Sequence, residues 1–266
     1  MKPIRLGAYG DPFAIPPQVF KDLFNISEDE YLFHMVAPKK DRHGKPFLGY
    51  VLYEGISHLG PDPIVVIVTG LSVSTVNSKT GDLAQIWIML RDIPPQDAGP
   101  KSKSVCGNCA FRHDKKGGLC YVRLYEAPLS IFNAYHKDRY SRDPNGIKLV
   151  RNWIYHRGHT GYSESAIRFL NHKDLSSHAE FVGSRVMLSA KTAKEAKRLN
   201  AMGFKTFRPV NSLDELERFE DLCASDRLGL TCDECMQCHG VKSKSSHAVL
   251  VHGAKKNNLI KIGGKA

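Results

Sequence analysis

Seven cysteines in 266 residues fall into two groups, Cys106, Cys109 and Cys120 as C-x2-C-x10-C, and Cys223, Cys232, Cys235 and Cys238 as C-x8-C-x2-C-x2-C. Two cysteines two residues apart aim both sulfurs at one ion from a tight turn, the spacing that recurs in zinc and iron–sulfur sites. An odd cysteine count does not suit a framework of paired disulfides. Metal ligation is therefore the expectation for all seven. The C-terminal group supplies four thiolates, enough for a closed site. The first supplies three, which leaves three readings open: a catalytic metal with a free position, a cluster with one free iron, or a fourth ligand elsewhere, for which His113 inside the loop is a candidate.

Other candidates lie where strands give way to small or polar residues. Gly10 and Asp11 end the run Leu6 to Pro12, Thr69 to Ser72 follows an apolar run, and Ser189 sits in Leu188-Ser189-Ala190-Lys191-Thr192. Asp11 beside a glycine suits a cation, an amine or a hydroxyl, and equally suits a turn. Asn77 and Lys79, in the stretch Val76 to Gly81, have the composition of a phosphate loop without its G-x4-G-K-S/T spacing, so a polar turn explains them as well. Tyr162 has the ring to stack on a base or stabilise an intermediate, or to fill a core. Asp11 and Tyr162 are thus the candidates for catalysis, and Gly10, Asn77, Lys79 and Ser189 for cofactor contact. His156 and His159 do not match H-E-x-x-H and read as surface histidines.

The elements that must position these residues are best marked in the C-terminal third. Arg185 to Ser189 reads as a buried strand, and Thr192 with Glu195 forms a capping box for a helix running to Met202, stopped by Gly203. A strand over Lys205 to Val210 follows. Ser212 with Glu215 repeats the capping box and predicts a helix from Leu213 to about Leu222. Short strand–helix–strand connections imply parallel pairing. Further strands are expected at Ile4 to Ala8, Tyr50 to Tyr53, Ile64 to Thr69, Ile86 to Leu90 and Ala248 to His252, with helices from Pro17 through Leu23 and from Pro128 to His136. The class is α/β, read as a complete or partial (β/α) barrel with cysteine-ligated metal sites, an open doubly wound sheet being the second choice. Residues 1–222 form the barrel-like domain with the first cysteine group, and 223–266 form a C-terminal metal-binding segment that completes the same domain.

A 42% hydrophobic chain with 22 Gly and 14 Pro is not a disordered one. The longest apolar run, Ile64 to Val68, is far shorter than the roughly 20 residues of a membrane span. With no signal-peptide core after Met1, a soluble cytoplasmic protein is expected, without membrane partners. The net charge of +11 favours nucleic acid as a partner. That charge is dispersed, its densest clusters being Lys39-Lys40-Asp41-Arg42, Lys101 with Lys103, Lys115-Lys116, Lys242 with Lys244, and Lys255-Lys256.

Taken together, Asn77-Ser78-Lys79-Thr80-Gly81, the cysteine group ending in Cys120-Tyr121-Val122, Arg5-Leu6-Gly7-Ala8-Tyr9-Gly10-Asp11-Pro12, Thr160-Gly161-Tyr162, Leu188-Ser189-Ala190 and the terminal cysteine group resemble a set of uncharacterised, cysteine-rich phage proteins. Those carry C-Y-A/V, R-x4-G-D, T/F-x-Y-S/T and terminal C-x2-C-x2-C motifs and are compared with radical S-adenosylmethionine barrels. The resemblance implies a 4Fe–4S cluster in preference to zinc, S-adenosylmethionine as a candidate ligand, and chemistry on nucleic acid or nucleotides in the cytoplasm of a host cell. Two departures stand out. The R-x4-G-D element lies first in the chain rather than between the C-Y-A/V and T/F-x-Y-S/T motifs, which a barrel tolerates only if the ends of the displaced element are close. The first cysteine group also differs from the usual C-x3-C-x2-C. The alternative to an enzyme is a metal-stapled nucleic-acid-binding protein in which both cysteine groups are structural.

Overall fold

The run Pro63–Thr69 has no polar alternation, and neither has Ala84–Leu90; both form strands buried along nearly their whole length. Strands of this kind belong in a sheet covered on both faces. In the computed structural model, which describes residues 6–24, 38–72, 80–109, 112, 120, 122–157, 160–163, 186–238, 240 and 243–251, they are the centre of a four-stranded sheet. Strand β1 (Leu6–Tyr9) runs parallel to β4 (Ala84–Leu90), which runs antiparallel to β3 (Pro63–Thr69), and β3 antiparallel to β2 (Gly49–Ile56).

The second sheet has five strands, all parallel, in the order β5 (Thr160–Ser163), β6 (Val186–Ser189), β7 (Thr206–Val210), β9 (Ser246–Leu250) and β8 (Glu220–Leu222). The segment after Cys223 thus contributes β9, which lies between β7 and β8. Chain order and spatial order part company at β1 also, because the first strand pairs with β4 on one side and lies against β5. The architecture is α/β. Among the described residues the strands form two hydrogen-bonded sheets and not a closed barrel.

Alternate residues of β3 and β4 serve two cores, as the period of two demands. Ile64, Val66, Val68, Ile86 and Ile88 pack with Phe13, Phe20 and Leu23, with Val150 and Ile154, and with Val186 and Leu188 of the second sheet. This face is covered by α1 (Pro17–Phe24) and α4 (Pro144–Arg157). Val65, Ile67, Trp87 and Met89 meet Phe132 and Tyr135 of α3 (Ala127–His136) on the other. Burying side chains of this size stabilises the fold by about 1.5–3 kcal/mol each.

Most expected elements occur within a few residues of their places. Helix α5 (Ala193–Ala201) begins as read, with the Glu195 N–H donating to Thr192 Oγ1 at 3.2 Å, and ends at Gly203, whose φ is +89°. The helix expected from Leu213 to Leu222 does not form. A single 3-10 turn over Leu213–Glu215 gives way to β8, and Ser212 makes no capping bond. The reason is a tertiary ion pair: Arg208 of β7, 3% exposed, donates from Nε and from Nη2 to Glu220, each at 2.7 Å. A buried carboxylate held on both oxygens outweighs a helical preference worth tenths of a kcal/mol per residue.

Candidate metal centre

The chain leaving β4 returns through 3-10 turns to the short helix α2 (Lys103–Cys106), which packs against β3, β4 and the 3-10 turn Pro12–Ala14 after β1. Helix α2 breaks at Gly107, whose φ is +56°, and the Cys109 N–H donates to the Cys106 carbonyl at 3.1 Å. That is the tight turn anticipated from C-x2-C. Arg112 closes it from outside by donating to the Gly107 carbonyl at 2.9 Å.

Cys106 reports how the group is arranged. Burial pushes its thiol far above the ordinary cysteine value, and the charges of Cys109, Cys120 and Asp11 push it the same way, while Arg112 opposes them. Asp11, 4% exposed, is also tied to α2 through its backbone N–H, which donates to the Val105 carbonyl at 3.0 Å. One oxygen of its carboxylate caps the 3-10 turn by accepting from the Phe13 N–H at 3.0 Å. Gly10 fits this crossing because it is a glycine: its φ is +94°, and a Cβ there would lie 2.9 Å from Ile88 Cβ and 3.0 Å from Ile88 O. The Gly10–Asp11 element is thus brought beside Val105 and Cys106 at the end of α2.

What holds α2 there is a polar clasp that the sequence did not reveal. Ser57, in the turn between β2 and β3, donates to the Ser104 carbonyl at 2.5 Å, and Ser104 donates to Asp62 at 2.7 Å. Both serines are buried. Gly60 leaves room for the contact, since a Cβ on it would lie 2.3 Å from Ser104 Oγ. A serine three residues ahead of Gly-Pro-Asp-Pro and another in a Lys-Ser-Lys-Ser run carry the signal of loops, and only the fold reveals that they meet.

The C-terminal group is built on β8, β9 and two short helices. Cys223 ends β8, donates its N–H to the Ala248 carbonyl at 2.7 Å and starts α6 (Ala224–Leu228). Cys232 and Cys235 stand at the two ends of α7 (Cys232–Cys235), which packs against α6. Residues three apart share one side of a helical turn. A capping box between Thr231 and Glu234 fixes the start of α7, and Met236 in the left-handed region ends it. The Gln237 carbonyl, just before Cys238, accepts from the Ser243 hydroxyl at 2.6 Å.

Thiols are the donor type that a thiophilic metal takes, three in the first cysteine group and four in the second. All seven cysteines are thiols and not disulfide halves. Among the described residues no group of three or more His, Cys, Asp and Glu side chains is placed to hold a metal ion, so the metal sites expected from the cysteine spacing are not shown.

Of the remaining candidates, Ser189 ends β6, half-buried, and the Ala190 N–H after it donates to the Phe207 carbonyl at 2.9 Å. Tyr162 is in β5, whose backbone pairs with Met187. Asn77, Lys79 and His113 lie outside the described residues, as do Lys115, Lys116, Lys242, Lys255 and Lys256. The described part of the 76–81 stretch, Thr80 and Gly81, forms a turn into β4. No helix among the described residues is long and apolar enough to cross a membrane. Comparison with protein-family models, with curated proteins and with solved structures found no match to this chain.

Proposed function

We propose that the protein is a phage-type iron–sulfur protein whose Cys106, Cys109 and Cys120 hold a 4Fe–4S cluster, and that it acts on nucleic acid or nucleotides in the manner of radical S-adenosylmethionine barrels. What supports this reading is geometry beside the exit of β1: the Cys109 N–H closes a turn on the Cys106 carbonyl at 3.1 Å, and the Asp11 N–H donates to the Val105 carbonyl, next to Cys106, at 3.0 Å. A cluster held by three thiolates supplies one-electron chemistry and leaves one iron for a ligand such as S-adenosylmethionine. The chain's own residues do the rest. Gly10 lets the backbone cross close over Ile88, Asp11 brings a carboxylate beside the thiols, and the Ser57–Ser104 clasp fixes the helix that ends in Cys106. Cys223, Cys232, Cys235 and Cys238 hold a second, closed metal site. The two sheets belong to one partial (β/α) barrel, a reading supported by β1 lying between β4 and β5 and by a core that both sheets share.

The second reading is a non-enzymatic, metal-stapled nucleic-acid-binding protein. The capping bond of Asp11 favours it, because that carboxylate has a structural duty already. Anaerobic purification separates the two. Brown protein with iron in excess of zinc and thiolate-to-iron charge-transfer absorption supports the enzyme, while colourless zinc protein overturns it in favour of the binding module.

A further inference from the structure

Residues 39–45 hold Lys39, Lys40, Arg42, His43 and Lys45 around a single acid, Asp41. The structure turns that acid inward. One Asp41 oxygen accepts from the His43 and Lys45 backbone N–H groups, both at 2.9 Å, and the other accepts from Arg139 Nε at 2.7 Å. The Asp41 side chain is 3% exposed, and the cationic residues around it are exposed. A bridge between Lys40 and Pro46 closes the loop, and Arg139 holds it again through the Pro46 carbonyl at 3.1 Å.

Arg139 also lines an open groove of about 520 Å³, shared with Leu48, Tyr125, Leu129, Ala134 and Lys137. Its volume is that of a small-ligand cleft. Tyr125 is 66% exposed there, an uncommon state for an aromatic ring of this size. The acids of this face are matched by arginines: Asp41 by Arg139, Asp138 by Arg42 and Arg142, and Glu126 by Arg123. Lys39, Lys40, Lys45 and Lys137 are exposed and make no ion pair among the described residues. Cys120 and Tyr125 are five positions apart in the chain, so their backbones lie within about 18 Å of each other.

We infer that the groove under Tyr125, flanked by the loop 39–46, binds single-stranded nucleic acid, with Tyr125 stacking on a base and the four lysines on phosphates. An exposed ring beside Leu48, Leu129 and Ala134, in a groove whose other lining includes Glu126, Ser130 and Asn133, matches an unpaired base, whose face is open, better than a duplex, whose bases are stacked on one another. Cations on a loop fixed by its own buried carboxylate meet phosphates without first being ordered. The inference rests on the proposed function only in taking nucleic acid as the partner, and it needs no iron.

Fluorescence anisotropy with a labelled oligo(dT) and with a labelled duplex tests it on the full chain, with iron content and melting temperature read in parallel. The oligo(dT) is expected to bind more tightly than the duplex. Tyr125→Ala should weaken oligo(dT) binding about 5- to 150-fold while Tyr125→Phe retains it. Lys40→Gln with Lys45→Gln should lower the slope of log affinity against log salt by about 1.4, two contacts at about 0.7 each. The variants should keep the melting temperature of the parent. Tighter binding of duplex, equal affinity of Tyr125→Ala, or an unchanged salt slope overturns the groove. A zinc protein that still binds oligo(dT) through Tyr125 sinks the iron–sulfur reading and leaves the groove standing.

Discussion

The Asp82 backbone N–H donates to the Asp233 carboxylate at 2.9 Å, joining the turn that leads into β4 to the helix that carries Cys232 and Cys235. Asp233 also accepts from the hydroxyl of Thr231, the residue that starts this helix. Next to it, Gly81 has a φ of +64°, and a Cβ on it would lie 1.8 Å from Asp233 Oδ1. Gly81→Ala combines backbone strain with a clash, so it should destabilise the protein by about 1–3 kcal/mol. Asp233→Ala should speed metal release from the C-terminal group, followed with a chromogenic chelator. A release rate unchanged by Asp233→Ala would separate the clamp from the metal.

Gly10→Ala is expected to cost about 2 kcal/mol or more, since φ is +94° and Ile88 blocks the new methyl group. Urea unfolding monitored by Trp fluorescence gives the value. A loss below about 0.5 kcal/mol would mean that β1 crosses Ile88 with slack that the contacts do not show.

Cys235→Ser should lower the melting temperature and release the second metal, because a closed site contributes its binding energy to folding. Cys109→Ser should retain more of the fold while losing iron from the first group. Calorimetry with metal analysis on both variants decides the matter, and equal melting losses contradict the division of labour between the groups.

Breaking the Arg208–Glu220 pair from one side leaves a buried charge alone. Glu220→Gln is expected to destabilise by about 3–5 kcal/mol, and the apolar double replacement Arg208→Met with Glu220→Leu should recover most of that loss. Chemical denaturation of the single and double variants measures the coupling.

Arg142 hydrogen-bonds Glu54 and, together with the Tyr135 hydroxyl, holds its carboxyl below the usual value near 4.5, against the pull of partial burial. Burial and the Glu54 bond push the Tyr135 hydroxyl up to about 12. A carboxyl whose folded pKa is depressed adds stability that is present above its unfolded pKa and lost as pH falls through the folded one. Stability should therefore fall below about pH 4.5, and Glu54→Gln should flatten part of that acid limb. Denaturant titrations at pH 7 and pH 3 make the comparison, and a Glu54→Gln protein with an unaltered acid limb removes this pair from the account.

The parts of the fold that could be read from sequence are those written in local pattern. The continuous apolar runs of β3 and β4 announced strands covered on both faces, and Thr192 with Glu195 announced the start of α5. Leu213 to Leu222 misled because its helical spacing is outvoted by a partner twelve residues upstream, Arg208, which demands Glu220 in a strand. Of the cysteine pattern, the turn between Cys106 and Cys109 was legible from the spacing. Ser57 and Ser104 were not, since two serines forty-seven positions apart carry no mark of their meeting. That Gly10 and Asp11 stand beside Cys106 is likewise a product of topology: β1 pairs with β4, and the chain from β4 folds back over its end.

The placement of β1 also bears on synthesis. Leu6 leaves the ribosome well before its partner Ala84 and its neighbours in β5, and the chain between has by then supplied the β2–β3 hairpin. Until β4 arrives, the opening strand is an unmatched edge, so assembly closes through distant pairings and is slow relative to folds rich in nearby ones. A nascent chain halted before Ala84 would present that edge to chaperones or to other copies of itself.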